Sequence, residues 1–204
     1  MKHLISWISR PPRGVDFSAE QRVLFPVASW VLLMGALAYG SFAPFFGMFG
    51  VPLLVAVNSV YVFAMLFGLW IIRRGWIASG IGFGSSLAMI HGWLTTTLFG
   101  WGPGFHYQIL LATLLLSVVT VLPLRQRMTY ALLSGGTYIA LAFFVLFYKP
   151  AKPLLVWQEN IFSILNVITF VSVLLLIALY YVITAKRVEK ERDEAALELR
   201  VALD

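Results

Sequence analysis

Six runs of about twenty mostly apolar residues limit this chain's fold more than any other feature it contains. They cover Val23–Phe46, Val51–Ile72, Trp76–Phe99, His106–Leu122, Met128–Tyr148 and Val156–Thr184. A helix of about 20 apolar residues crosses roughly 30 Å of hydrocarbon. In lipid no water pairs an exposed N–H or C=O, so only helices or closed barrels span it. Barrel strands alternate apolar and polar residues, and these runs do not. The expected class is all-α: a polytopic membrane protein with a six-helix transmembrane bundle and a C-terminal cytoplasmic signalling helix. Composition agrees. The chain is 60% hydrophobic and 12% charged, where a soluble domain carries about 25% charged residues, and its mean hydropathy is +0.88.

The charges between the runs give the expected topology. Lys2, Arg10, Arg13 and Arg22 precede the first run, Arg73 and Arg74 follow the second, and Arg125 and Arg127 follow the fourth. Lys186, Arg187, Lys190, Arg192 and Arg200 follow the sixth. The other side holds only Lys149 and Lys152. Basic loops stay in the cytoplasm, so both termini are expected there, in an inner (cytoplasmic) membrane. The net charge of +6 thus reads as a topology signal, with the bilayer and not a nucleic acid as partner. Residues 1–22 form an arm, 23–184 the membrane domain and 185–204 the tail. Pro11-Pro12 interrupts the arm, so it lacks the apolar core of a cleavable signal. Pro26 is expected in the first helical turn, and Pro44 in or beside a loop.

The tail is rich in helix formers and free of Gly and Pro. Val188, Ala195, Leu199 and Ala202 recur at spacings of seven, four and three, close to a heptad seam. The expectation is a dimerising helix that continues the sixth span; a solvated helix on a monomer is the alternative. The pattern stops without a cap at Asp204, as in a truncated chain.

Chemistry is sparse. Cysteine is absent, which removes thiol catalysis, disulfides and Cys-ligated metals. No phosphate loop, nucleophile elbow or H-E-x-x-H stands anywhere in the chain. The densest segment is the turn between the third and fourth runs. There His91, Trp101, His106 and Tyr107 surround Gly100, Gly102, Pro103 and Gly104. Glu159, Asn160 and Asn166 open the sixth run. These seven polar and aromatic residues are the candidate ligand-binding set, for a small or lipophilic ligand at the outer face. Interhelical glue is the plainer alternative, since such hydrogen bonds average only about 0.6 kcal/mol. His91 and His106 also allow a haem or metal reading, though no cofactor and no metal are assigned. Small residues four apart, Gly75/Ser79, Gly80/Gly84 and Ala36/Gly40, favour close helix approach.

The segments FGW-x-x-GFHYQILL at Phe99–Leu111, LPLRQR at Leu122–Arg127 and YYVITAKRVEKERDEA at Tyr180–Ala195 carry a resemblance. With six spans, the chain resembles the N-terminal membrane region of bacterial class III adenylyl cyclases. Similar six-helix regions head some sensor histidine kinases and diguanylate cyclases. The resemblance implies a receptor-like, homodimeric module whose last helix leads to a cytoplasmic catalytic domain. That domain, not these residues, would hold the catalytic site. A haem or metal protein and a plain membrane anchor remain the alternatives.

Overall fold

The computed structural model describes residues 7–12, 14–118 and 122–203, with side chains for all of these except 118, 191, 193 and 195–203. The long helices are α1 (Ala19–Met48), α2 (Pro52–Arg73), α3 (Ile77–Phe99), α4 (Tyr107–Val118), α5 (Leu124–Phe147) and α6 (Val156–Leu203). No strand occurs among the described residues. Four helices are long and apolar enough to cross a membrane: α1, α2, α5, and α6 over Val156–Lys190. α3 has the length, at 23 residues, but Gly, Ser, Thr and His dilute its apolar character. α4 is apolar but only 12 residues long.

Local chemistry explains the boundaries. α1 starts four residues before its apolar run because Ser18 and Gln21 form a capping box. Gln21 N–H donates to Ser18 Oγ (3.2 Å), and Ser18 N–H donates to Gln21 Oε1 (2.9 Å). Arg22, expected in the arm, is therefore helical. Pro26 and Pro44 both lie inside α1 rather than in its first turn or a loop. A bilayer tolerates this because neighbouring helices and local adjustment compensate the lost bond. Pro52 opens α2, where its missing N–H costs nothing. Gly100 ends α3 with φ +89°, a conformation that favours glycine.

α1 packs against α2, α3 and α6, while α4 lies against α3, α5 and α6. α5 and α6 follow each other in sequence but, among the described residues, do not pack together. α5 buries only Ser134 and Leu141 and exposes a long row of Leu, Ile and Phe that suits lipid contact. Lipid is as apolar as leucine, so close packing rather than water exclusion holds these helices. The small-residue reading succeeds at Gly80 and Gly84. A Cβ on Gly80 would lie 2.5 Å from Ile72 Cγ1 and 2.9 Å from the Gly68 carbonyl oxygen; one on Gly84 would lie 2.5 Å from Leu32 Cδ2.

The basic segments gather at one end. Arg187 of α6 donates to the Ala19 carbonyl at the start of α1 (2.6 Å), and Arg73 at the end of α2 donates to the Trp7 carbonyl of the arm (2.6 Å). Leu122 and Tyr130, flanking the basic start of α5, share a cleft with Ala78 and Ser79 of α3. At the opposite end seven phenylalanines interlock. Phe162 of α6 sits 4.9 to 6.3 Å, centroid to centroid, from Phe42, Phe45, Phe46, Phe49, Phe99 and Phe105.

Candidate functional site

The turn between α3 and α4 is built by short-range hydrogen bonds. Gly104 N–H donates to the Trp101 carbonyl and Tyr107 N–H to the Gly104 carbonyl, each at 3.1 Å. Gly104 has φ +80°, which again suits glycine. Outside the turn, the Lys152 N–H reaches the Leu98 carbonyl at 2.8 Å, so the segment before α6 is tied to the end of α3.

α6 enters the turn through two side chains. Asn166 Nδ2 donates to the Pro103 carbonyl at 3.0 Å and also to Phe162 O of its own helix at 3.1 Å. The Glu159 carboxylate lies where a Cβ on Gly102 would stand, so only glycine admits it. The turn and the first part of α6 are therefore in contact.

From Asn166 a polar chain runs into the bundle. Gln108 Nε2 donates to Asn166 Oδ1 (3.3 Å), and Gln108 Oε1 lies 2.9 Å from His91 Nδ1. Tyr39 OH donates to the same Oε1 at 3.4 Å. A carbonyl acceptor at Gln108 requires His91 to carry its proton on Nδ1. The His91 ring is flanked by Tyr39 at 4.7 Å, Tyr61 at 5.3 Å and Phe105 at 6.0 Å. His91 Nε2 is buried without a partner, as are Ser85 Oγ, Thr96 Oγ1 and Asn58 Oδ1. A buried polar atom without a partner costs about 1–3 kcal/mol. The cluster meets a cavity of about 70 Å³, where Tyr39, Ser85, Gln108 and Thr169 stand among apolar residues of α1, α2, α3, α4 and α6.

His106 belongs to a second, separate group. Its ring stacks on Trp101 at 3.9 Å and lies 4.3 Å from Tyr107 and 6.0 Å from Tyr138 of α5. His91 and His106 share no ring neighbour among these contacts, and no ring contact or hydrogen bond among the described residues joins them. Among the described residues no group of three or more His, Asp or Glu gathers as a metal-ligand set. Asn160 is exposed, and its side chain makes no hydrogen bond among those of the described residues. Of the seven expected residues, His91 and Asn166 join the polar chain. Trp101, His106 and Tyr107 form the aromatic stack, and Glu159 covers the turn.

Sequence reasoning missed Gln108 and Tyr39. Gln108 was legible as an uncharged polar residue in the first turn of an apolar run, where a hydrogen-bonding role is the usual reason. Tyr39 carried no such signal, because tyrosines also serve as interface anchors. On the tail, Val188 is exposed, while Ala195, Leu199 and Ala202 lie outside the described side chains. Comparison with known proteins gives no match to a family model, a curated protein or a solved structure.

Proposed function

We propose that this chain is a receptor-like membrane module that dimerises and relays a signal through its sixth helix to a cytoplasmic catalytic domain. One observation carries the reading: Asn166 binds the α3–α4 turn through Pro103, and its helix runs on unbroken to Leu203. A helix of 48 residues rises about 1.5 Å per residue, or roughly 70 Å in all, more than twice the hydrocarbon thickness. It contains no Pro or Gly at which a kink would form. A shift of the turn therefore loads the outer end of a stiff rod whose other end leaves the membrane.

In this reading all six long helices embed in the bilayer, the short α4 being packed against α3, α5 and α6. A small lipophilic ligand enters from the outer face and meets the polar chain at His91, Gln108 and Asn166. It favours one of two helix arrangements, and the difference in affinity between them is the signal. The likeness to adenylyl cyclase membrane regions makes a nucleotide cyclase the output domain of choice.

The test uses single cysteines at Val188, Ala195 and Glu194 in a chain that has none of its own. In membranes, disulfide crosslinking is expected at Val188 and Ala195 well above Glu194. Adding Asn166→Leu is expected to change the Val188 yield. Equal or absent crosslinking at all three sites, with monomeric mass in mild detergent, would leave only an anchor.

A further inference from the structure

We propose that the cleft between the N-terminal arm and the end of α2 binds one anionic phospholipid. The cleft measures about 460 Å³ and is lined by Trp7, Leu66, Leu69, Trp70, Arg73 and Arg74, with arm residues as one wall. Its two chemistries are segregated. Leu66 and Trp70 are exposed on the lipid-facing side of α2, continuous with the apolar surface a bilayer covers. Arg73 and Arg74 close the end where α2 leaves the apolar zone.

The arginines are held rather than free to swing. The Arg73 guanidinium stacks 3.8 Å over the Trp7 ring, and Arg74 lies 4.9 Å from the Trp70 ring. Arg73 spends one N–H on the Trp7 carbonyl, leaving most of its five donors in a fork that matches a phosphate. No carboxylate of a described residue forms an ion pair with either arginine; the ion pair recorded among described residues is Lys190–Glu194. Two oriented cations without a carboxylate partner among the described residues, beside tryptophans at a helix end, are the chemistry that recognises an anionic headgroup, and the exposed Leu66 and Trp70 accept an acyl chain. The arm gains a role: Ile8 is buried and the Trp30 indole N–H donates to Ser9 Oγ at 3.2 Å, so the wall opposite the arginines is anchored to α1. The assignment depends on neither the orientation of the chain nor the relay.

Native mass spectrometry of the whole chain, released from detergent with added phosphatidylglycerol or phosphatidylcholine, tests it. One phosphatidylglycerol per chain is expected to be retained in preference to phosphatidylcholine by about tenfold or more. Arg73→Gln with Arg74→Gln should abolish the preference. Arg74→Gln alone leaves the bond to Trp7 intact; it should weaken the preference in a chain that still folds by circular dichroism. Arg125→Gln, at another basic end, should leave it unchanged. Equal retention of the two lipids, or a preference that survives Arg74→Gln and the double variant, would overturn the site. Displacement of the lipid by inorganic phosphate alone would overturn the lipid assignment in favour of a free anion.

Discussion

The Asn166 side chain donates to the Pro103 carbonyl across 63 positions of sequence, at 3.0 Å. It does so while its own carbonyl accepts from Gln108. One amide thus joins the turn, α4 and α6, and the strength of that joint is measurable. Asn166→Leu and Gln108→Leu, singly and together, define a double-mutant cycle. A coupling of about 0.6 kcal/mol, and no more than about 1.7 kcal/mol, is expected, as for other hydrogen bonds within membranes. Unfolding in a denaturing detergent gives the numbers. Strict additivity would show that the two amides stabilise independently.

Phe162 is buried among six other phenylalanines. Phe162→Ala is expected to cost about 3–5 kcal/mol, as large aromatic deletions in packed interiors do. Phe63, 73% exposed, has no such neighbourhood, and Phe63→Ala should stay within about 0.5 kcal/mol. The same unfolding assay in one lipid or detergent compares them.

Glycine substitutions separate contact from propensity. Gly80→Ala places a methyl against Ile72 and the Gly68 carbonyl; a backbone atom cannot swing away, so a loss of about 1–3 kcal/mol is expected. Gly82→Ala meets nothing within 4 Å and should be neutral or stabilising by up to about 1 kcal/mol, the helix-propensity gain. Thermal unfolding of the two variants side by side is the check. If both behave alike, the α2–α3 approach is not as close as described.

Gly102→Ala displaces the Glu159 carboxylate from the turn. Because the carboxylate is the far end of a flexible side chain, stability should fall by less than about 1 kcal/mol. Reactivity of Glu159 towards a water-soluble carbodiimide should rise, since the group now lies in the open. Unchanged labelling, mapped by mass spectrometry, would mean that Glu159 does not rest on Gly102.

The gathering of basic segments at one end of the bundle predicts a shared side. Cysteines at Trp76 and Gln126, both exposed, should react together with an impermeant thiol reagent applied to one face of the membrane. A cysteine at Ala151, also exposed, should react only from the other face. The positive-inside bias expects the first pair to be shielded in intact cells.

Length and hydropathy along the chain were enough to name the helices and most of their ends, because helix hydrogen bonds are local and each apolar run must satisfy its own backbone. Gly100 and Pro52 mark boundaries for the same local reason. Pro26 and Pro44 were misplaced: whether a proline ends a helix depends on neighbours that compensate its missing bond. His91, Asn166 and Glu159 were visible as polar residues in apolar surroundings, where a partner is nearly obligatory. Their partners were not visible. Gln108 lies 17 positions from His91 and 58 from Asn166, and no local pattern encodes such a pairing. The sequence alone therefore determined an all-helical chain with membrane-crossing helices and polar residues that must be satisfied inside it. Tertiary structure alone decided that His91 and His106 part company, that α5 stays clear of α6, and that Asn166 holds the turn. Those outcomes follow from which helix faces approach closely enough to exclude lipid, and that is a property of the packed bundle as a whole.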